Sequence, residues 1–326
     1  MKTTIANKIR QIDYLFNSVY LKLIGERKSL IIFLFHVLFR NSDECCSNIV
    51  HPQQGITLEH FRQFVEYYLS HRYIFVSPDD ILNGLDSNKN YALITFDDGY
   101  YNNCYALPIL RQYKVPALFL ISTHYVKHNK PFLWDVLYRE KIKPGMSTQN
   151  VLEDISSLTS IRTNAEIEKY ITDEFGKEAL VPIGDIDRPF TPCELKDFAK
   201  EKFVFLGNHT SEHAYLANCS SNEIRSTIFE AQNSLYDMTG TLPRYISYPD
   251  GAYSNEVIKI TRQMGFRLGM AVDNRKNYLP IDFQSDEPLR LGRFPLGQNS
   301  RLIKQCQLFR SDIRLTKIIK SLIGKE

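Results

Sequence analysis

Two adjacent carboxylates, Asp97 and Asp98, are the first residues in the sequence that could do chemistry. They follow an apolar run at residues 91–95 and precede Gly99. The run is rich in β-branched and aromatic side chains, which predicts a buried strand that ends at the carboxylates. Adjacent residues leaving a strand point to different sides, so one carboxylate could hold a metal ion while the other handles a proton. By itself, an Asp-Asp-Gly sequence is more often a turn that caps the next helix.

A pair of histidines, His209 and His213, supplies the second half of a possible site. The pair follows another strand-like run at residues 203–206. If the segment is helical, a spacing of four places both imidazoles on one face, and neutral imidazole is a common zinc ligand. With Asp98 they form a set of two histidines and one carboxylate, which leaves a coordination position open for water, as catalytic sites require. Because both motifs directly follow predicted strands, a metal-dependent catalytic site is favoured over two unrelated polar segments.

Length and composition narrow the class of protein. The 326 residues are enough for one large α/β domain or for two smaller ones. The formal net charge is only +3, and the one basic cluster lies at the C-terminus, which is not typical of a nucleic-acid-binding protein. The six cysteines show no Cys-x-x-Cys spacing, and we interpret them as reduced thiols in a reducing compartment.

The elements that would position the site residues alternate along the chain. Strand-like runs with helical patterns between them occupy residues 30–35, 73–76, 91–95, 117–122, 203–206, 245–248, 266–272 and 289–294. This order predicts a parallel sheet with helices outside it. In a parallel barrel the carboxyl ends of the strands face the active site. The first run ends at His36, which is therefore either a structural histidine or a site residue.

Residues 123–202 interrupt this rhythm. They contain Trp134, the only tryptophan, and a stretch rich in Ser, Thr, Asn and Glu that predicts two or three short helices. We interpret the span as an insertion on the loop face, where loops commonly shape substrate pockets. Trp134 is then a candidate platform for stacking a sugar, although anchoring the insertion to the rest of the domain would explain it equally well.

Two terminal segments flank the domain at residues 29–299. Residues 1–28 predict a helix with an apolar side that could pack on the domain, on another subunit or on a membrane surface, the first being the simplest. That side consists of Ile5, Ile9, Ile12, Leu15, Phe16 and Val19. Residues 300–326 predict a basic amphipathic helix that either covers the domain or is attracted to an anionic membrane.

The apolar run at residues 29–39 bears on localisation. It is about half as long as the ~20 residues needed to cross a bilayer, and it lacks a small-residue cleavage site. We therefore interpret it as a core strand and not as a signal peptide. The expectation is a cytoplasmic protein, with at most peripheral contact with the inner face of the membrane through its terminal helices.

The sequences Thr-Phe-Asp-Asp-Gly at residues 95–99 and His-Thr-Ser-Glu-His at residues 209–213 closely resemble two motifs of the polysaccharide deacetylase family, also called carbohydrate esterase family four. The resemblance implies a distorted (β/α)7 barrel, here with a helical insertion and terminal amphipathic helices. It also implies a divalent metal ion, usually zinc, and removal of acetyl groups from N-acetylated sugars. On the matching positions, Asp97 would be the general base and Asp98, His209 and His213 the metal ligands.

The sequence departs from the family pattern at two motifs. Ser247 stands where an arginine usually contacts the catalytic aspartate, and no histidine follows His213 to act as the general acid. The chain looks similar to a subgroup involved in exopolysaccharide modification, which has a histidine on its first strand and an arginine on a late one. By that resemblance His36 would be the general acid and Arg293 would pair with Asp97.

Substrate contacts are less specified by the motifs. Asp250 occupies the place of a residue whose backbone N–H serves the oxyanion, a role that survives a change of side chain. The candidate substrate-binding residues are Tyr100, Trp134, Asp250 and Tyr253.

The leading interpretation is a metal-dependent hydrolase that removes an N-acetyl group from an amino sugar of a surface polysaccharide or of its lipid-linked or nucleotide-linked precursor. A second hypothesis keeps the scaffold and changes the acyl or leaving group, as in a sugar deformylase or another amide hydrolase. A third is a non-catalytic barrel that binds glycan. A binding module has no need of a charged base beside a metal, so the complete Asp-Asp and His-x-x-x-His set favours an enzyme.

Overall fold

The computed structural model describes residues 2–143, 145–159, 162–297 and 302–313, with side-chain positions from residue 12 on. The strands are β1 (Ser29–Phe35), β2 (Leu38–Phe39), β3 (Ile56–Thr57), β4 (Ile74–Phe75), β5 (Tyr91–Phe96), β6 (Ala117–Ile121), β7 (Val204–Asn208), β8 (Tyr245–Ser247), β9 (Leu268–Met270), β10 (Asn277–Tyr278) and β11 (Arg293–Pro295). The helices are α1 (Lys2–Leu23), α2 (Ser42–Cys45), α3 (Leu58–Ser70), α4 (Pro78–Asn83), α5 (Leu107–Tyr113), α6 (Thr123–His128), α7 (Leu133–Lys141), α8 (Thr148–Thr159), α9 (Asn164–Phe175), α10 (Pro192–Phe198), α11 (Ser221–Thr239), α12 (Asn255–Gln263) and α13 (Leu302–Arg310). No helix in these ranges combines the length and the apolar character that crossing a membrane requires.

Seven parallel strands form a distorted barrel. Their order is β1, β5, β6, β7, β8, β9 and β11, and β11 pairs in parallel with β1. A single bridge between Met270 and Leu291 closes the ring between β9 and β11. The short strand β4 is added to β5, and β10 is added antiparallel to β1. The predicted (β/α)7 barrel is therefore confirmed. The bridge that closes the ring lies two residues before Arg293.

Alternate residues of the strands serve two different layers. Side chains that point outward pack on the helices, as Phe33 does on Phe64 of α3 at 4.7 Å between ring centroids, and Phe119 on Phe198 of α10 at 4.7 Å. Side chains of the other parity, such as Ile32, Leu93 and Leu118, form a second cluster that fills the barrel. Continuous apolar runs are expected for strands that are buried on both faces, and burial of each such side chain contributes about 1.5–3 kcal/mol.

Five helices, α6 to α10, fill the span between β6 and β7 in which the sequence predicts an insertion. They carry a core of their own, which includes Phe132, Val136, Ile155 and Ile171. Loop residues such as Val50, from the segment between α2 and β3, complete this core. The insertion therefore stands on the loops at the carboxyl ends of the strands.

The C-terminal helix α13 covers the barrel through its apolar side. Leu302, Cys306 and Phe309 are buried in the outer cluster, and the Phe309 ring stacks on Phe294 with centroids 4.6 Å apart. Residues 300–301 and 314–326 of the predicted C-terminal amphipathic helix lie outside the described residues.

The N-terminal helix α1 differs from the simplest expectation. Its predicted apolar side does not pack on the domain, because Ile12, Leu15, Phe16 and Val19 are all exposed. The side chains of Ile5 and Ile9 lie outside the described part of the chain. Among residues 12–23 of this helix, Asp13 and Asn17 are the buried ones, so the domain contacts its polar side.

Candidate active site

Five side chains meet at one end of the barrel because each stands at a strand position whose side chain points into the barrel. The side chains inside the barrel include Ile32, Leu93, Phe205, Tyr245 and Leu291. Since side chains alternate along a strand, steps of two or four residues from these positions lead to the site at the carboxyl ends of five strands. The residues reached are His36, Asp97, His209, Ser247 and Arg293.

Asp98, His209 and His213 form a compact cluster of potential metal ligands. Their ligand atoms all lie within 4.8 Å of one another. Oδ1 of Asp98 is 3.4 Å from Nε2 of His209 and 3.6 Å from Nε2 of His213. This oxygen is buried and has no hydrogen-bond partner among the described residues. A buried carboxylate oxygen left without a donor is costly, and a divalent cation between the three groups would satisfy it, so the residues fit a metal ion.

The two histidines converge through a loop and not through a helix, so the expectation of a shared helical face is wrong. Residues 209–213 have no helical turn. Thr210 and His213 have φ angles of 63° and 57°, and Asp98 has a φ of 76°. This left-handed region is uncommon for residues other than glycine, and least favourable for a β-branched residue such as threonine. The loops therefore hold strained backbone to aim their ligands inward.

Ser122, at the end of β6, ties the two ligand loops together. Its backbone N–H donates to the carbonyl of Asp98 at 3.1 Å, and its hydroxyl donates to the carbonyl of His209 at 3.2 Å. The side chain is fully buried. Ser122 is a positioning residue that the sequence reasoning missed, because nothing in its neighbourhood marks it.

Arg293 holds Asp97 through a bidentate ion pair. Nη1 donates to Oδ1 of Asp97 at 2.7 Å and Nη2 donates to Oδ2 at 2.8 Å. The guanidinium is also fixed by the hydroxyl of Thr95, 3.0 Å from Nη1, and by the carbonyl of Ala271, 3.1 Å from Nε. Both members of the pair are buried. The planar fork of arginine suits this geometry, which lysine could not reproduce.

Ser247 occupies the position that lacks the usual arginine and has a role of its own. Its hydroxyl donates to Oδ2 of Asp97 at 2.9 Å. The hydroxyl oxygen and the backbone carbonyl of Ser247 lie 2.8 Å and 3.0 Å from Nδ1 of His209. Both oxygens favour the proton on Nδ1, which leaves Nε2 of His209 free to bind a cation. Ser247 thus orients the base candidate and one ligand together.

Opposing charges set the pKa values of the carboxylates. Burial by itself raises the pKa of Asp97, but Arg293 and then His209 outweigh it and hold that pKa well below its usual range. Burial also acts to raise the pKa of Asp98, and the imidazoles of His209, His36 and His213 outweigh it, so the net shift is downward. Both carboxylates are therefore ionised at neutral pH, as a base and a ligand must be.

The two imidazoles of the cluster differ. Burial lowers the pKa of His209, but Asp97 and Asp98 more than offset this and raise it. Burial lowers the pKa of His213 as well, and there the opposing charge of Asp98 does not compensate. His209 therefore holds its proton more strongly than His213 does, and a binding cation would compete with a proton mainly at His209.

His36 lies beside Asp97, on the neighbouring strand. Phe35 of β1 is paired with Phe96 of β5, so the next residues along the two parallel strands, His36 and Asp97, are neighbours. The charge of His36 lowers the pKa values of Asp97 and Asp98. The side-chain amide of Gln54 lies 2.9 Å from Nδ1 of His36, which leaves Nε2 for the site. Gln54 is a second positioning residue without a sequence signal.

Trp134 forms one wall of the site. Its ring centroid lies 4.8 Å from that of His213, and it stacks on Phe132 at 5.0 Å. The indole N–H donates to the hydroxyl of Tyr100 at 2.9 Å. Trp134 is partly exposed, so the structure places the predicted stacking residue where a sugar next to the metal ligands could contact it.

Tyr100 lies beneath this wall and does not have the position of a substrate contact. Its side chain is fully buried, so it has no surface for a ligand. The hydroxyl donates to Oδ2 of Asp135 at 2.6 Å, and Nε2 of Gln53 donates to the hydroxyl at 3.3 Å. We therefore assign Tyr100 to the support of Trp134.

Asp135 is a buried acid that the sequence reasoning did not single out. It stands within the apolar run 131–138, and a lone acid in such a run could have marked it. Oδ1 accepts from the backbone N–H of His51 at 2.9 Å. Burial raises the pKa of Asp135 to about 8, against partial opposition from these hydrogen bonds. The carboxyl is therefore largely protonated at neutral pH.

Asp250 and Tyr253 lie on the loop after β8. Asp250 is exposed and has a φ of 55°. Its charge acts to raise the pKa of His213, which places it near the ligand cluster. The hydroxyl of Tyr253 donates to Asp273 at 3.1 Å, and the ring lies 5.2 Å from that of Tyr248. Both residues are at the rim, and their contact with a substrate stays a prediction.

Comparison with known proteins places this geometry in a family. A family model described as polysaccharide deacetylase matches residues 84–269. No curated protein sequence matches the chain.

Solved structures of deacetylases share the fold at low sequence identity. The deacetylase PplD from Streptococcus pyogenes, in complex with acetate, is similar with a TM-score of 0.57 and 17% identity over 87% of this chain and 99% of that one. IcaB from Ammonifex degensii gives a TM-score of 0.57 and 16% identity over 88% and 99% of the two chains. A de-N-acetylase from Aggregatibacter actinomycetemcomitans gives 0.54 and 14% over 86% and 100%. These similarities show that the chain shares the fold of known deacetylases.

Replacing Arg293 should destabilise the fold more than it would at an exposed ion pair. Arg293→Met leaves the buried Asp97 carboxylate without its partner, which we expect to lower the free energy of unfolding by about 3–5 kcal/mol. Urea denaturation of the purified chain measures this change. The double variant Arg293→Met/Asp97→Asn removes both charges and should recover most of the loss.

The matched control is Arg111→Met, which breaks the exposed pair with Glu201. Such a pair contributes less than about 1 kcal/mol. A loss for Arg293→Met that is no larger than the loss for Arg111→Met would show that Asp97 is not held as a buried anion.

The protonation of Asp135 predicts an unusual dependence of stability on pH. The unfolded chain releases this proton near the ordinary value of 3.8, while the folded chain keeps it to about pH 8. The folded state binds more protons in that window, so the stability contributed by this group is complete below about pH 4 and is lost as the pH rises to about 8. Asp135→Asn, which mimics the neutral acid, should therefore be increasingly more stable than the parent across that window.

Urea denaturation at about pH 5 and about pH 8 measures the difference between parent and variant at both ends of the window. Asp173→Asn, an exposed substitution on α9 of the same insertion, controls for the loss of a charge. An unchanged difference at the two pH values would show that Asp135 is ionised in the folded protein.

Proposed function

Because the chain belongs to the polysaccharide deacetylase family, we propose that it hydrolyses the N-acetyl amide of an amino sugar. One observation carries the proposal. The ionised Asp97, held by Arg293, lies beside the cluster of Asp98, His209 and His213, with 3.7 Å between Oδ2 of Asp97 and Nε2 of His209. A site that only bound glycan would gain nothing from a buried base next to three ligands.

Asp98, His209 and His213 are proposed to hold a divalent cation, with zinc as the expected metal because two imidazoles and one carboxylate are its common ligands. Such a cation would supply Lewis acidity to the carbonyl oxygen of the amide and to the attacking water. Ser247 keeps His209 in the tautomer that this role requires.

Asp97 is proposed to accept a proton from the attacking water as the water oxygen bonds to the carbonyl carbon. Arg293 fixes both oxygens of the carboxylate, so the base is already oriented and ionised when a substrate binds. The bidentate pair also limits the basicity of Asp97, because it lowers the pKa of the carboxylate. Arg293 is thus a positioning residue, and the proton acceptor is Asp97.

His36 is proposed to donate a proton to the departing nitrogen as the C–N bond breaks. The products are acetate and a free amino sugar, and the proton taken by Asp97 balances the one given by His36. Without protonation the amine is a poor leaving group, and the tetrahedral intermediate returns to the amide. The backbone carbonyl of His36 accepts from Asn103 at 2.6 Å, and the side-chain amide of Gln54 orients its ring, which supports a fixed position for the proposed acid.

The substrate is proposed to be an N-acetylated sugar of a surface polysaccharide or of its lipid-linked or nucleotide-linked precursor. Trp134 offers an apolar face beside the ligand cluster, and sugars commonly bind through such aromatic faces. Similarity of the His36 and Arg293 arrangement to the exopolysaccharide-modifying subgroup supports this class of substrate. Asp250 and Tyr253, on the loop after β8, are the further candidates for contact.

The decisive experiment measures acetate release together with metal content. We expect Asp97→Asn to lower kcat on the N-acetylated sugar by about 10²–10⁴-fold, since a positioned base contributes this much, while about one divalent ion per chain remains bound. His209→Ala should lose both the ion and the activity, and dialysis against a chelator should abolish activity until metal is restored. Assays across N-acetylated nucleotide sugars, lipid-linked sugars and their N-formyl analogues identify the acyl group and carrier.

Two exposed substitutions serve as controls. Asp197→Asn on α10 and His71→Ala at the end of α3 remove the same side-chain types away from the site and should retain parent activity and metal content. Acetate release by Asp97→Asn at the parent rate would exclude Asp97 as the base. Formate release alone would assign the deformylase reaction in place of the deacetylase.

His36 can be tested through the leaving group. His36→Ala should lower kcat on the amide by about 10²–10⁴-fold without loss of metal. The kcat of this variant on an aryl acetate should fall far less, because the phenolate departs without protonation and needs no general acid. Equal losses on the amide and the ester would mean that His36 acts otherwise, for example in holding Asp97, and normal amide turnover would exclude it from the reaction.

A further inference from the structure

The helix α1 presents its apolar side to solvent and its polar side to the domain. Its exposed apolar side chains are between 38% and 80% accessible. They follow the spacing of a single helical face and are Ile12, Leu15, Phe16, Val19 and Leu23. Ile24, just beyond the helix, extends this face and is 73% accessible. We call these six residues the α1 stripe.

The polar side of α1 accounts for its attachment to the domain. Asp13 and Asn17 are buried, and the amide of Asn17 donates to the carbonyl of Asp13 at 2.6 Å. Lys304 of α13 lies over the ring of Tyr14 at 5.5 Å. The helix is therefore fixed in an orientation that leaves its apolar side uncovered by the described residues, which monomeric soluble proteins usually avoid.

Basic side chains lie at the C-terminal end of the α1 stripe. Lys22, Arg27 and Lys28 at its end are exposed. Residues 1–28 and 301–326 together contain 13 Lys and Arg against 4 Asp and Glu, while residues 29–300 contain 27 against 33. The two segments are tied together, since the backbone N–H of Arg27 donates to Asp312 at 2.7 Å. The positive charge of the sequence is thus concentrated in its two terminal segments, one of which includes the exposed apolar side of α1.

We propose that the α1 stripe is a docking surface for an anionic lipid bilayer, on which the helix lies with its apolar side in the interface. An apolar face bordered by Lys and Arg is the pattern of helices that bind such surfaces, through apolar burial plus attraction to acidic headgroups. A second copy of the chain is a poorer fit. A symmetric dimer brings the same patch of both subunits together, and this patch carries exposed Lys22, Arg27 and Lys28 without an exposed acidic residue, among those described, to pair with them.

The location of the stripe separates docking from catalysis. Arg27 and Lys28 directly precede Ser29 at the amino end of β1, whereas His36 follows the carboxyl end. At about 3.3 Å per residue, the two ends are roughly 23 Å apart. None of the six residues of the α1 stripe belongs to the candidate active site, so the chemistry of a small soluble substrate should not depend on docking.

Flotation of the full chain with vesicles tests the proposal. Vesicles are prepared from phosphatidylcholine alone and from a mixture of phosphatidylcholine and phosphatidylglycerol. The parent should float with the mixed vesicles, bind much less to phosphatidylcholine alone, and be released by high salt. Leu15→Glu/Leu23→Glu should reduce binding on the order of a hundredfold, because it removes two inserted leucines and adds two negative charges near acidic headgroups.

Phe229→Glu on α11 is the matched control, since it changes a similarly exposed apolar residue, 59% accessible, away from the α1 stripe. It should bind vesicles as the parent does. The double α1 variant should keep its circular dichroism spectrum and, with a soluble substrate, any activity that the parent shows. Absence of parent binding to mixed vesicles, or equal binding by parent and double variant, would overturn the proposal. So would a parent dimer in light scattering that the double variant converts to a monomer without any vesicle binding.

Discussion

The candidate site depends on keeping a carboxylate ionised in the interior of a barrel. Asp97 has almost no solvent exposure, and an unpaired charge in such a place costs several kcal/mol. Arg293 offsets that cost, but it comes from a strand 196 residues further along the chain. The last strand, β11, is held by its ladder with β1 and by a single bridge between Met270 and Leu291, which completes the ring. The strand that completes the barrel therefore also carries the arginine that compensates the charge of Asp97.

Much of this arrangement could be predicted from the sequence, because strand composition and the alternation of side chains along a strand are local patterns. Runs of β-branched and aromatic residues locate the strands, and the period of two carries inward parity from Leu93 to Asp97 and from Ile32 to His36. Two motifs after such strands then meet at one barrel end. Other features depend on contacts that no local pattern encodes. Ser247 binds Asp97 across 150 residues, and Asp135 becomes a neutral acid only because the insertion buries it.

Two of the expectations that failed show why local patterns were insufficient. A spacing of four between His209 and His213 fits a helix, but a loop with left-handed residues brings the rings equally close, with centroids 4.9 Å apart. The pattern of α1 identifies an apolar side correctly without stating what covers it. In the first case the ligand geometry overrode the spacing rule. In the second, buried Asp13 and Asn17 determined which side the domain accepts.

Left-handed backbone at Asp98, Thr210, His213 and Asp250 has a consequence for laboratory evolution of this protein. Each residue costs of order 1–3 kcal/mol in its native conformation, so glycine there relaxes the backbone and can raise the melting temperature. A screen for heat resistance alone would select glycine at these four positions. At Asp98 and His213 the same substitution removes a candidate metal ligand. Thermal tolerance and turnover therefore trade against each other at the rim of the barrel, and robust variants are better sought in the outer helices.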